Sequence, residues 1–146
     1  EGARMIEQLS RVYPSVGESE QRMLDDVSGF LDQFDLDPQV RHSLTLCVSE
    51  AFTNALKHGN QWNALKVVMV NLRVNDEDVC ADITDQGSNA LAAISRRPHP
   101  GPLAESGRGV DLIYRYCPGV EMSEVSGGGL RVRLVLPRRK KANVID

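Results

Sequence analysis

The sequence predicts an α/β (α+β) domain folded as a two-layer sandwich, with helices on one face of a mixed, largely antiparallel sheet. Three observations predict this fold. In residues 130–136 every even position is leucine or valine, while Arg131 and Arg133 point the other way, which is typical of a strand with one face covered and the other in water. Residues 19–34 and 38–58 carry apolar side chains at helical spacing, so they can cover that face. Residues 64–74 and 79–85 are rich in β-branched side chains and are joined by a short acidic turn, as in an antiparallel hairpin.

The first half of the chain begins with a predicted edge strand over residues 4–13, followed by the first helix. Asp37 before Pro38 predicts the start of the second helix, because a capping side chain and a proline at the first position favour helix initiation. We expect this helix to end at Gly59, with that glycine in the left-handed conformation that closes many helices. The predicted apolar stripe of the second helix consists of Val40, Leu44, Cys47, Val48, Ala51 and Ala55.

The second half contains an irregular segment over residues 87–109, rich in glycine, proline, serine and arginine. It is the longest predicted loop and therefore a candidate functional loop. A helix is expected after Gly109, ending before Pro118. Residues 120–125 and 130–136 then flank "SGGG" as a second hairpin. The predicted apolar face of the third helix consists of Val110, Ile113, Tyr114 and Cys117.

The composition is that of one folded domain. The chain has 146 residues, of which 41% are hydrophobic and 25% charged, so it can bury a sizeable core. A formal net charge of -3 argues against nucleic acid as the main partner. No apolar run reaches the roughly 18 residues of a membrane helix, and no signal-peptide pattern is present, so we expect a cytoplasmic protein without membrane contact. We assign residues 1–137 to the domain and residues 138–146 to a basic, solvated tail.

The three cysteines offer neither a metal-ligand spacing nor an even count for disulfides. Cys47, Cys80 and Cys117 lie far apart in apolar stretches of sequence. We therefore expect them to be reduced thiols in the core.

Three polar residues lie along the flank of the second helix. Glu50, Asn54 and His58 follow one another at successive turns, beside the apolar stripe. A carboxylate there loses hydration unless something compensates, and a cation with its anionic ligand would do so. A carboxamide oxygen suits Mg²⁺, and the neighbouring carboxylate can orient a hydroxyl. The simpler alternative is a pair of surface residues bonded to Lys57 or to a nearby loop, while His58 binds a phosphate or caps the helix.

Two glycine motifs follow. Asp85 ends a strand and Gly87 turns the chain, which places a carboxylate at the end of the sheet; most such pairs are plain turns. Gly107 and Gly109 precede a predicted helix, where backbone N–H groups can bind phosphate and Arg108 can add a cationic donor. A tight loop entering a helix is the alternative.

The order of these motifs is more specific than any one of them. Glu-x3-Asn on a helix, Asp-x-Gly after a strand, Gly-x-Gly opening a helix and a glycine-rich hairpin together resemble the ATP-binding fold shared by gyrase, heat-shock chaperone, histidine-kinase and mismatch-repair ATPases. Within that superfamily the short length and the run "SEAFTNALKHG" (residues 49–59) look like the anti-sigma factor serine kinases of bacteria. The resemblance covers nearly the whole chain.

The resemblance implies a kinase with ATP and Mg²⁺ as cofactors. Asn54 matches the magnesium ligand, and Glu50 matches the general base toward a serine hydroxyl of a protein substrate. Asp85 matches the aspartate that reads adenine, and Gly107 and Gly109 match the glycines that wrap the phosphates. The residues expected to bind the nucleotide are Asn54, His58, Asp85, Gly87, Gly107, Arg108, Gly109 and Val110.

Two positions depart from the family pattern. Asn89 replaces the second glycine of Asp-x-Gly-x-Gly, and Leu130 replaces a hydroxyl residue. The implied function is phosphorylation of an antagonist protein that controls a sigma factor; exposed faces also permit a homodimer. The first alternative is a weakly binding or non-catalytic module that sequesters its partner. A second is an ATPase or phosphorelay module attached to a sensor, and a nucleic-acid role through the basic tail ranks last.

Overall fold

The structure is a computed structural model, which describes residues 7–88 and 105–139, with the backbone alone for residues 105–109. Its helices and strands follow the predicted order. The helices are α1 (Glu18–Leu31), α2 (Pro38–Asn54) and α3 (Glu105–Tyr116), and a π-helical turn, Ala55–Gly59, continues α2. The strands are β1 (Glu7–Pro14), β2 (Val67–Val74), β3 (Asp78–Thr84), β4 (Glu121–Glu124) and β5 (Leu130–Pro137).

The strands form one sheet in the order β1-β2-β3-β5-β4. Each pairing in the described ranges is antiparallel, so the largely antiparallel sheet is confirmed, and the parallel pair of a mixed sheet is not found there. β3 is the central strand. Ile83 faces Val70 of β2 on one side and Val132 of β5 on the other, so apolar side chains align across three strands on one face.

The core lies between that face and the helices, which confirms the two-layer sandwich. Tyr13 and Phe52 are among its largest buried side chains and meet edge to face with ring centroids 5.5 Å apart. The Tyr13 hydroxyl donates to Asp26 at 2.7 Å. Burial, together with this bond, raises the pKa of Tyr13. The other face of the sheet is largely polar, although Val12, Met69 and Val135 are exposed on it, and it includes a two-bond ion pair in which Arg133 donates to Asp82 at 2.8 and 2.9 Å.

Helix α2 confirms the prediction of its start and of its buried stripe. The Asp37 side chain accepts from the N–H of Gln39 at 2.8 Å, and all six residues of the predicted stripe are buried. The prediction that the helix ends with Gly59 in the left-handed conformation was wrong. The chain instead widens into the π turn, in which the N–H of Asn60 donates to the Ala55 carbonyl at 2.8 Å. The left-handed residues come later, at Gln61 and Trp62.

Helix α3 differs from the prediction in two respects. It begins at Glu105, so Gly107 and Gly109 lie within it rather than before it. Glycine is accommodated in a turn and also, at a cost, in a helix, so the sequence pattern cannot distinguish the two. Tyr114 is about half exposed, whereas Ile113 and Cys117, one full turn apart, are buried.

The cysteine prediction is correct in part. All three thiols are free, and Cys47 and Cys117 are buried in the core. Cys80 is half-buried on the polar face of the sheet, because its place in β3 alternates with the buried neighbours Val79 and Ala81.

Some predictions fall outside the described residues. They concern residues 4–6, the segment 89–104 and the end of the tail from residue 140. The tail boundary therefore stays a prediction, although its first residues contact the domain: the Arg138 N–H donates to Glu77 at 2.7 Å, and Arg139 pairs with Asp35 at 3.2 Å. Within the part of the chain described, no helix combines the length and the apolar character that a membrane span requires.

Candidate functional site

Three segments of backbone meet at one end of the sheet. They are the π turn after α2, the residues that follow β3 and the turn that precedes β5. A β-carbon added at Gly59 would overlap the Asp85 carboxylate, one added at Gly87 would overlap the Gly59 carbonyl, and one added at Gly129 would overlap the Asp85 carbonyl oxygen. The three segments therefore approach this closely only because glycine lacks a side chain.

Asp85 lies at the centre of this junction and is 4% exposed. Its Oδ1 accepts from the N–H of Gly87 at 2.9 Å and from the N–H of Leu130 at 3.1 Å. Its own N–H donates to the Leu130 carbonyl at 3.0 Å. Burial raises the pKa of Asp85, opposed by these two backbone bonds and by the charge of Lys66. The result is a fixed acceptor group at the end of the central strand.

The helix that reaches this junction carries the predicted polar flank. Glu50, Asn54 and His58 are each half-buried. Asn54 lies about one turn before Gly59 along the helix, and Glu50 about two turns before it. The structure thus places the carboxylate, the carboxamide and the imidazole on one element that ends against Asp85.

The donor set on this helix consists of hard oxygen ligands. A carboxamide oxygen and a carboxylate one turn apart are suited to Mg²⁺ rather than to a soft metal. Within residues 7–88 and 105–139, no group of three or more His, Cys, Asp or Glu side chains is arranged to hold a metal ion by itself.

The glycine-rich turn before β5 has more than a connecting role. Gly127 and Gly128 have φ of 98° and 106°, as a turn of this kind requires. A β-carbon at Gly128 would lie 3.3 Å from the Gly87 carbonyl oxygen. This turn, expected to be a plain hairpin connection, therefore forms one wall of the junction.

Sequence reasoning missed Asn60. This residue is 1% exposed and follows the π turn directly. Its Oδ1 accepts from the N–H of Gln86 at 2.8 Å, and its Nδ2 donates to Ser15 Oγ and to the Val67 carbonyl, both at 2.9 Å. An asparagine after a helix end usually signals a solvated loop, so no local pattern marked this one as buried.

The remaining predicted residues lie on or near α3. Gly107 and Gly109 lie in its first five residues, and Val110 is half-buried. This helix packs against α2, where the Cys47 thiol lies 3.9 Å from the Ile113 carbonyl oxygen. The Arg108 side chain lies outside the described residues, as does Asn89.

Two curated proteins are similar to this chain over most of its length. The chain is 26% identical over 142 residues to an anti-sigma F factor of Clostridium beijerinckii, covering 94% of this chain and 96% of that protein. It is 27% identical over 125 residues to an anti-sigma F factor of Clostridium botulinum (strain Eklund 17B / Type B), covering 82% and 84%.

A solved structure shares the fold. The crystal structure of the RsbU and RsbW domains of Rv1364c from Mycobacterium tuberculosis superposes with a TM-score of 0.64 at 14% identity. The match covers 88% of this chain and 32% of that longer chain. The sequence profile of the histidine kinase-like ATPase domain matches residues 14–136. The chain therefore belongs to the histidine kinase-like ATPase domain family, as its motifs predicted.

Proposed function

We propose that this chain is an ATP-binding anti-sigma regulator that transfers the terminal phosphoryl group of ATP to a serine of an antagonist protein. Membership of the ATPase domain family supports nucleotide binding. The names of the curated relatives support a sigma factor as a partner. The antagonist protein is what the resemblance to the anti-sigma factor serine kinases implies. The catalytic part of the proposal depends on the side chains of α2.

The burial and the hydrogen bonds of the Asp85 carboxylate are the main support for this proposal. A buried carboxylate whose Oδ1 is held by two backbone N–H groups is a fixed acceptor, which can recognise the exocyclic amine of adenine. Guanine presents a carbonyl oxygen at the corresponding position, which would face the carboxylate without a proton between them. The site therefore favours ATP over GTP.

The triphosphate would extend from Asp85 along α2 toward Asn54. The oxygen ligands on this helix fit a magnesium ion that arrives bound to phosphate and needs only one or two protein ligands. Asn54 would hold the ion through its carboxamide oxygen, and the ion would offset the negative charge of the phosphates.

Glu50 would align the substrate serine. The serine oxygen attacks the γ-phosphorus, its proton passes to the Glu50 carboxylate, and the bond from the γ-phosphorus to the bridging oxygen breaks as ADP leaves. Most of the acceleration would come from positioning the two reactants and from electrostatic stabilisation.

One observation favours the alternative of a module that binds its partner without phosphoryl transfer. Leu130 stands where the family carries a hydroxyl residue, and its side chain is buried. Its backbone nevertheless donates to Asp85. Loss of the hydroxyl would thus weaken nucleotide contacts without removing the acceptor.

Calorimetric titration with Mg-ATP tests the nucleotide site. We expect wild type to bind, and Asn54→Ala and Asp85→Ala to bind at least about tenfold more weakly, since each loses a direct ligand contact. Asn71→Ala is a matched control, because Asn71 lies on the polar face of the sheet. No binding by wild type would reject the proposed function.

Transfer of labelled phosphate from ATP to a candidate antagonist protein tests catalysis. Glu50→Gln should keep ATP binding and lose transfer by about 100-fold or more, as expected for a general base. Glu121→Gln, an exposed change on β4, should behave as wild type. ATP binding without transfer in wild type would favour the sequestering module.

A further inference from the structure

Asn60 connects four parts of the chain through one buried amide. It follows the π turn, it accepts from the Gln86 N–H after β3, and it donates to Ser15 before α1 and to Val67 at the start of β2. These partners fix the orientation of the amide, because Gln86 offers only a proton and the Val67 carbonyl only an acceptor. Both N–H groups and the oxygen of the amide are therefore used.

The bond to Gln86 is the one that reaches the candidate site. Gln86 lies between Asp85 and Gly87, so the Asn60 oxygen holds the peptide that directly follows Asp85. The Gln86 side chain adds a second connection, because its Oε1 accepts from the N–H of Val67 at 2.7 Å. The turn that carries Asp85 is thus bonded to Asn60, which follows the π turn, and to the start of β2.

The backbone after Asn60 is held in an unfavourable conformation. Gln61 and Trp62 have φ of 51° and 58°, a region that non-glycine residues rarely occupy. The Trp62 N–H donates to the Leu56 carbonyl at 2.8 Å, and the Asn63 N–H donates to the Asn60 carbonyl at 3.0 Å. Such strain persists where the surrounding bonds determine the chain path, and here those bonds determine the position of Asn60.

We propose that Asn60 is a positioning residue that sets the place of Asp85 relative to the helix carrying Asn54, and thereby the preference of the site for adenine. This inference rests on the proposed function. Through its bond to Gln86, Asn60 fixes the distance between the group that recognises the base and the residues that contact the phosphates. A nucleotide must contact Asp85 with its base and the residues of the helix with its phosphates at the same time. If Asp85 is displaced, the contact with the exocyclic amine of adenine is lost while the phosphate contacts remain.

The test is the ratio of ATP to GTP affinity, measured by calorimetry with Mg²⁺. Asn60→Ala removes the bond to Gln86, and we expect the ATP-to-GTP ratio to fall by about tenfold or more while GTP binding changes little. Asn63→Ala is the matched control: it is the same substitution three residues later, at an exposed side chain that accepts from the Leu65 N–H at 3.0 Å. The control should keep the wild-type ratio.

A second variant covers the case in which Asn60→Ala does not fold. Asn60→Asp keeps the oxygen that accepts from Gln86 and replaces the nitrogen that donates to Val67. Its stability should fall while its ATP-to-GTP ratio stays near that of wild type. The positioning role would be overturned by a wild-type ATP-to-GTP affinity ratio in folded Asn60→Ala. It would equally be overturned by a ratio that falls about tenfold or more in folded Asn60→Asp. Absence of ATP binding in wild type would instead reject the proposed function on which the inference rests.

Discussion

The carboxylate of Asp85 lies directly against the α-carbon of Gly59, although 25 residues separate them in the chain. This contact joins the end of the central strand to the end of the helix that carries Glu50 and Asn54. The position of Asp85 relative to this helix therefore depends on a contact with the backbone of Gly59. Because Gly59 has no side chain, there is room for the Asp85 carboxylate.

Gly59→Ala should damage both stability and binding. Its β-carbon would overlap the Asp85 carboxylate, so the strand end must shift, at a cost of about 1–3 kcal/mol in the free energy of unfolding. ATP affinity should fall with it. Urea denaturation and calorimetry measure the two effects. Gly29→Ala is the control, since a β-carbon there meets nothing within 4 Å in helix α1 and should leave stability equal or higher by up to about 1 kcal/mol.

Asp85→Asn should bind ATP poorly and unfold with an altered pH dependence. The folded-state pKa of Asp85 is raised above its ordinary value of 3.8, mainly by burial. Its contribution to stability is therefore full below pH 3.8 and is lost as the pH rises through the folded-state pKa. Asparagine does not titrate, and its oxygen can keep both backbone bonds. The free energy of unfolding of Asp85→Asn minus that of wild type should increase as the pH rises above 3.8; a constant difference in urea denaturation would contradict this.

The three thiols should differ in reactivity. Cys80 is half-buried on the polar face, whereas Cys47 and Cys117 are buried. Burial raises the pKa of Cys47 to about 12, so its reactive thiolate form is scarce near neutral pH. An aromatic disulfide reagent should modify one thiol quickly in the native protein and all three after denaturation. Cys80→Ser should abolish the fast phase, and a fast phase that survives this change would place the reactive thiol elsewhere.

Gln61→Gly should stabilise the protein. Gln61 has φ of 51°, where glycine avoids the steric cost that other residues meet. The expected gain is up to about 1 kcal/mol, because greater freedom of the unfolded chain offsets part of the relief. Gln21→Gly, within helix α1, should instead destabilise by about 1 kcal/mol. Thermal unfolding of the pair distinguishes local strain at Gln61 from a general effect of glycine.

Much of the fold could be predicted because its signals are local. Asp37 and Pro38 mark the start of α2 through contacts within one turn, and the alternation in β5 reports burial residue by residue. Two of the errors concern glycines. At Gly59 and Gly107 the sequence shows only that a side chain is absent, which is compatible with a left-handed turn, a helix or a close approach of backbone.

The candidate site could be predicted in part for the same reason. Asp85 and Gly87 follow a strand and are separated by one residue, so their pattern is visible. Asn60 gains its role from a bond to Gln86, 26 positions away, and Gly129 from the carbonyl of Asp85. No local pattern encodes such contacts, because they depend on how the strands and the helix come together.

The close approaches at Gly59, Gly87 and Gly129 also affect how this site can be traced through divergent chains. Its outline depends on three missing side chains, so the residues that surround it can change in size and polarity without closing it. Two chains that are only 26% identical, as this chain and one of its relatives are, can therefore still form a site of the same outline. A search for this site among distant proteins is better based on the spacing of those three glycines than on overall identity.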